Sequence, residues 1–136
     1  MKVNLKKMLG LAALSMALSA NTVPTWAGSV NTPEVTIGGN QAYSWAKGSM
    51  VGARYSTDNT QYIGCFTNGQ GSQSSPSIRC FARDRVGSTA FCISLDLRFV
   101  PQVQAMTDSS HITFVANRSN ALCDTLRIAN SSSQLK

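Results

Sequence analysis

SIRCFAR, Ser77 to Arg83, alternates without a break: Ile78, Cys80 and Ala82 point one way, Arg79, Phe81 and Arg83 the other. Period two with one apolar and one wet side marks an antiparallel strand half-buried in a sheet. The turn RDRVGS follows, centred on Asp84 to Gly87, with Gly87 supplying a positive φ, and Thr89 to Leu95 returns as the second arm of a hairpin. Upstream, TQYIGCFT (Thr60 to Thr67) places Ile63 and Cys65 on one face and Tyr62 and Phe66 on the other. Downstream, His111 to Ala116 and Leu122 to Ala129 read as a second hairpin through NRSN, Asn117 to Asn120. Its inward sets are Ile112, Phe114 and Ala116, then Leu122, Leu126 and Ile128.

The remaining segments fit around these hairpins. Gly28 to Gly48 is mostly Gly, Ser, Asn, Thr and Pro, with a first strand near Glu34, a turn at Gly38 to Asn40, and Trp45 in a Gly- and Ser-rich loop. Met50 to Ser56 alternates loosely and reads as a strand, and Asn68 to Ser77 as a loose connection. One helical signal stands out: Asp96 as cap, Pro101 near the start, and Val100, Val103 and Met106 at three-residue spacing, over Phe99 to Thr107. Six or seven short strands with one short helix predict a mainly β domain, a small disulfide-stabilised antiparallel β-sandwich, with a small barrel as the alternative. The expected organisation is a leader over 1–27, a Gly/Ser/Asn-rich segment over 28–48, a single β domain over 49–130, and a tail over 131–136.

The leader is read from Lys2, Lys6 and Lys7, followed by the apolar run Met8 to Leu18. A basic head on an apolar body too short for a bilayer, which needs about 20 residues, is the signal-peptide pattern. Cleavage after Ala27 leaves Thr25 and Ala27 at the recognition positions and is preferred to cleavage after Ala20, which uses the larger Leu18. No second membrane-length apolar stretch follows, so the expected location is secreted or periplasmic. Removal of the leader leaves 109 residues, with nine Lys and Arg against six acidic residues, a net charge of +3 rather than the whole chain's +6. That mild bias suits an anionic surface and points to no specific nucleic acid.

Four cysteines, Cys65, Cys80, Cys92 and Cys123, stand 15, 12 and 31 residues apart. Without Cys-x-x-Cys pairs they make neither a zinc knuckle nor a redox motif, and an even set in an exported chain reads as two disulfides. Three connectivities are open; if Cys65 and Cys80 face each other in neighbouring strands they pair, and Cys92 then ties to Cys123 around the helix.

Cys80-Phe-Ala-Arg-Asp84, then Gly87, Cys92 and Ser94, S-x-I-x-F at Ser110 to Phe114, Cys123, and N-S-S-x-x-x-K at Asn130 to Lys136 form one pattern. From Tyr62 onward the chain thereby resembles a family of small exported bacterial proteins of uncharacterised function. The resemblance implies a periplasmic or extracellular location and a common disulfide scaffold, and it carries over no catalytic residue, cofactor or ligand.

Three groups are candidates for function. Arg79, Phe81 and Arg83 share one strand face, where an arginine fork beside a ring can hold a carboxylate, phosphate or sulfate. The competing reading is a solvated face whose Arg stems cover apolar area, with Phe81 either covered by its own domain or offered outward. Trp45 heads a concentration of rings with Tyr43, Tyr55, Tyr62 and Phe66, suited to sugar stacking or a partner's pocket, or equally to a small core. His111 is the sole histidine, with Asp108 three residues before it. It is the only base for a small secreted hydrolase or toxin built with dispersed Ser and Asp, against the plainer reading of a strand-edge histidine. Asn117-Arg118-Ser119 and Asn130-Ser131-Ser132 match a glycosylation pattern, which carries no meaning in the bacterial setting that the resemblance implies. With no catalytic constellation, metal-ligand set or cofactor motif, the expectation is a binding or inhibitor module whose partner is a protein, a glycan or an anionic surface. The hydrolase is its alternative.

Overall fold

The computed structural model describes residues 34–69 and 75–130. The leader, the centre of the 68–77 connection and the tail from residue 131 lie outside them.

Among the described residues, seven strands form two antiparallel sheets. β1 (Thr36–Gly39), β2 (Tyr43–Ser49), β6 (His111–Asn117) and β7 (Cys123–Ala129) make a four-stranded sheet in the order β1-β2-β6-β7. β3 (Tyr62–Asn68), β4 (Ser77–Arg83) and β5 (Thr89–Ser94) make a three-stranded sheet in sequence order. The fold is thus the sandwich, not the barrel. Two short helices and one turn of 3-10 helix complete it: α1 (Met50–Arg54), a 3-10 turn (Leu97–Phe99) and α2 (Val100–Gln104).

The alternation decides what lies between the sheets. Ile63, Cys65, Ile78, Cys80, Ala82, Ala90 and Cys92 face inward from the smaller sheet, and Ala46, Ile112, Phe114, Ala116 and Leu126 meet them from the larger one. Cys65 lies opposite Cys80, and Cys80 in turn opposite Cys92, so three cysteines form one row on the core face of the smaller sheet. Cys65 bonds Cys80 within that sheet, while Cys92 crosses to Cys123 of β7 and ties the two sheets together. Beside this bridge the Ile93 N–H donates to the Ala121 carbonyl at 2.9 Å, a second stitch at the same corner.

Several expectations are corrected. Met50 to Arg54 is helix rather than strand, because Ser49 ends β2 and caps α1, its Oγ accepting the Gly52 N–H at 3.2 Å. The 28–48 segment is not separate from the β domain where it is described: β1 and most of β2 fall within it and complete the larger sheet. The helix expected over Phe99 to Thr107 is split and shorter, since Asp96 caps the 3-10 turn through the Arg98 N–H before Pro101 opens α2. Leu122, expected inward, is exposed, and Cys123 takes the inward place opposite Ala116. The cause is a register shift at Val115/Ala116: Leu126 and Ile128 stay inward opposite Phe114 and Ile112, and beyond the shift the inward place falls to Cys123.

A polar knot anchors β1. The Asp58 carboxylate accepts the backbone N–H groups of Thr60 and Gln61 and the Gln61 side-chain amide (2.7, 3.1 and 2.6 Å), and Gln61 Oε1 accepts the Val35 N–H at 2.7 Å.

Candidate functional site

The outward side chains of the smaller sheet form a three-by-three grid. β4 runs down its centre with Arg79, Phe81 and Arg83, flanked by Phe66, Gly64 and Tyr62 of β3 and by Ile93, Phe91 and Thr89 of β5. The tip of the Phe81 ring lies over Gly64, 3.3 Å from where a Cβ would stand, so even a methyl group there would require the ring to give by a few tenths of an ångström. Tyr62 and Phe66 close on Phe81 from either end, with ring centroids 5.8 and 5.9 Å away and planes tilted by 57° and 54°. Phe81 is therefore covered in part by its own domain and offered in part outward, 37% exposed, whereas Phe91 stands 59% exposed. Tilted rings make a ridged apolar surface rather than a flat stacking platform.

Arg79 and Arg83 flank this cluster about 13 Å apart, four residues along one strand. Both are exposed, and among the described residues neither has an acidic partner. The nearest carboxylate in sequence, Asp84, is spent on the turn, accepting the N–H groups of Val86 and Ser88.

Trp45 lies elsewhere than expected. It sits in β2 on the outer face of the larger sheet, not in a loop, and its indole is laid across Gly38, where no Cβ would fit. Lys47 Nζ lies 5.6 Å from the ring centroid. Half-buried on its own sheet and capped by a cation, Trp45 is turned away from the arginine strip. Tyr43 shares the outer face of β2 with Trp45, Tyr55 follows α1, and Tyr62 and Phe66 belong to the other sheet, so the rings grouped by sequence do not form one site.

His111 opens β6 on the same outer face as Lys47 and Arg127. Burial first, then those two cations, lower its pKa from 6.5. Asp108, its expected neighbour, instead meets Arg54 at 3.4 Å in the open. The buried serine hydroxyls are also engaged: Ser49 and Ser94 accept backbone N–H groups, and Ser110 accepts the Thr107 N–H while donating to Asn130. No group of at least three His, Cys, Asp or Glu able to hold a metal occurs among the described residues.

These groups predict two steps of acid destabilisation. A pKa depressed on folding means stability that is present above the unfolded value and lost as pH falls through the folded one. His111 should cost stability first as pH drops below 6.5, and His111→Gln should remove that step. Asp58, held below its ordinary 3.8 chiefly by the Gln61 amide, should add a second step under that value, which Asp58→Asn should flatten. Urea midpoints measured from pH 8 to pH 3 test both, and parallel wild-type and His111→Gln curves between pH 7 and 5 would refute the first.

Open clefts occur on two sides among the described residues. One, of about 250 Å³, lies between α1 and β3 and is lined by Met50, Ala53, Arg54, Gln61, Ile63 and Asp108. The other, of about 290 Å³, borders β5.

Among the described residues no helix is long and apolar enough to cross a membrane. No family model, no curated protein and no solved structure matches this chain. What the chain offers a ligand must therefore be read from its own surface, where an arginine-flanked aromatic ridge on β3, β4 and β5 is the principal feature.

Proposed function

We propose that this is a secreted or periplasmic binding module, with an inhibitor as one form such a module takes, that presents the outer face of its three-stranded sheet to an anionic partner. The observation that carries the reading is the pair Arg79 and Arg83, without carboxylate partners among the described residues, on either side of the ridge formed by Tyr62, Phe66 and Phe81. Exposed Arg and aromatic side chains grouped on one rigid face are the composition of interface hot spots. Guanidinium forks without partners keep their full capacity for carboxylate, sulfate or phosphate. Export is supported by the Met1 to Ala27 pattern and by two disulfides, which persist in oxidising compartments. The hydrolase reading has no comparable support, since His111 faces two cations and the hydroxyls of the buried serines Ser49, Ser94 and Ser110 are engaged in local hydrogen bonds.

Arg79→Gln/Arg83→Gln tests this reading. Both side chains are exposed, so the double variant should keep its stability within about 0.5 kcal/mol. Retention of the mature oxidised protein on immobilised heparin and on polyglutamate should fall at least tenfold for one of the two, and with it capture of envelope components from the producing cells. Lys47→Gln/Arg127→Gln, on the opposite outer face, should leave that retention unchanged. Equal retention of wild type and both double variants on both supports would refute the reading. Phe81→Ser is the poorer test, because the ring also packs on Tyr62 and Phe66 and its loss would lower stability as well.

A further inference from the structure

Among the described residues the sandwich has four edge strands, and three are guarded. β1 is only four residues long, β3 has α1 and α2 packed against it, and β7 has α2 against it and a register shift in its pairing with β6. Short length, cover and irregular pairing are the devices that keep a sheet edge from recruiting another strand. β5 has none of them along its first half.

The phase of its hydrogen bonds follows from two contacts. The Asp84 N–H donates to the Ser88 carbonyl at 3.0 Å, so the pairs in step with it, Ala82 with Ala90 and Cys80 with Cys92, are the bonded pairs of the hairpin. The backbone groups of Thr89, Phe91 and Ile93 consequently point away from β4. Ile93 uses its outward N–H to bond Ala121, in a parallel bridge with Leu122. Thr89 and Phe91 are left with outward N–H and C=O groups for which no partner occurs among the described residues. Beside this open stretch lies the cleft of about 290 Å³, with Thr89, Ala90 and Phe91 along one side and Ile37 and Ala116 of the larger sheet among its lining. Arg118 also lines it and no acidic residue does; its Nε is held by the Tyr43 carbonyl at 3.1 Å, leaving the terminal nitrogens for a carboxylate.

We infer that the β5 edge and this cleft bind an extended polypeptide by strand addition. The added segment pairs with the outward groups of Thr89 and Phe91, sets an apolar side chain into the cleft, and brings an acidic side chain to Arg118. Main-chain bonds supply the affinity in this mode, and the alternate side chains supply the selectivity. The open stretch offers only two outward residues, Thr89 and Phe91, and ends at the Ile93–Ala121 contact, which suits a short segment of another protein better than a second copy of β5. The site does not use Arg79 or Arg83, so it stands or falls apart from the proposed anionic face.

A phage-displayed linear heptapeptide library panned on the oxidised protein is the probe. Enriched sequences should alternate apolar and polar residues with an acidic residue towards one end, and a synthetic copy of one should bind at a measurable Kd. Thr89→Pro removes one outward N–H while leaving the bonds to β4, a substitution that edge positions accept. It should weaken the peptide at least tenfold with an unchanged melting profile. N-methylation of alternate peptide nitrogens should do the same on wild-type protein, a result that holds even if Thr89→Pro fails to fold. Arg118→Gln should weaken acidic peptides and not their amide analogues, and Arg79→Gln/Arg83→Gln should leave binding intact. No enrichment, peptides indifferent to backbone N-methylation, or concentration-dependent dimers lost in Thr89→Pro would overturn the inference, the last by assigning the edge to a second copy.

Discussion

Cys92→Ser/Cys123→Ser is expected to lower the unfolding free energy by about 3.5 kcal/mol, the entropy released when a loop of this length is no longer closed in the unfolded chain. The two cysteines are 31 residues apart, and between them lie the 3-10 turn, α2 and β6. The bond is also the disulfide that joins the two sheets, so its loss leaves packing and the Ile93–Ala121 hydrogen bond to hold β5 at the start of β7. Small domains keep only about 5–15 kcal/mol in reserve, so a loss of this size shifts the denaturant midpoint far down. Cys65→Ser/Cys80→Ser, which opens a 15-residue separation inside one sheet, should cost about 3 kcal/mol by the same argument. Guanidinium titrations under non-reducing conditions measure both. A loss below about 1 kcal/mol for the inter-sheet pair would mean that the unfolded chain holds those segments together without the bond.

Phe114→Ala should cost about 3–5 kcal/mol, the range for deleting a fully buried aromatic ring. Phe114 is wholly inaccessible at the middle of β6, with Ala46 and Leu126 as its register neighbours on either side. Those neighbours sit on rigid strands and cannot close the void, so the upper half of the range is expected. Phe91→Ala, a change of the same chemistry at an exposed position, should stay below about 1 kcal/mol in the free protein. Thermal unfolding monitored by tyrosine and tryptophan fluorescence gives the comparison. Similar losses for the two variants would contradict the assignment of inner and outer faces.

Those inner and outer faces are where the sequence is most legible. Alternation from Ile78 to Arg83 separates the core row from the arginine strip without any knowledge of the fold, because a strand turns successive side chains to opposite sides. What alternation lacks is the identity of the neighbours. Tyr62 and Phe66 join Phe81 only because β3 pairs with β4 in the register that sets Gly64 opposite Phe81. Local composition misplaced Trp45 for a related reason. Gly and Ser around it resemble a loop, yet Gly38 is needed there to admit the indole, a contact between strands that composition does not encode.

By itself the sequence determined the kind of molecule: a mainly β domain with two hairpins about Gly87 and about Asn117 to Asn120, four cysteines destined for disulfides, and an arginine strip facing away from them. Each follows from periodicity, turn chemistry or counting, all of which are local. Disulfide choice needed the tertiary structure, because Cys80 stands opposite Cys65 and Cys92 alike. Hydrogen-bond phase separates the two. Cys80 turns its backbone bonds towards Cys92, so its pair with Cys65 is the non-bonded one, where facing side chains come closer, and their Cα atoms stand 4.0 Å apart. Cys92 is then free for Cys123, which reaches it only because the irregularity between β6 and β7 turns Cys123 inward in place of Leu122. The open edge of β5 was equally beyond the sequence, since whether a strand has a neighbour is settled by the order in which distant segments assemble.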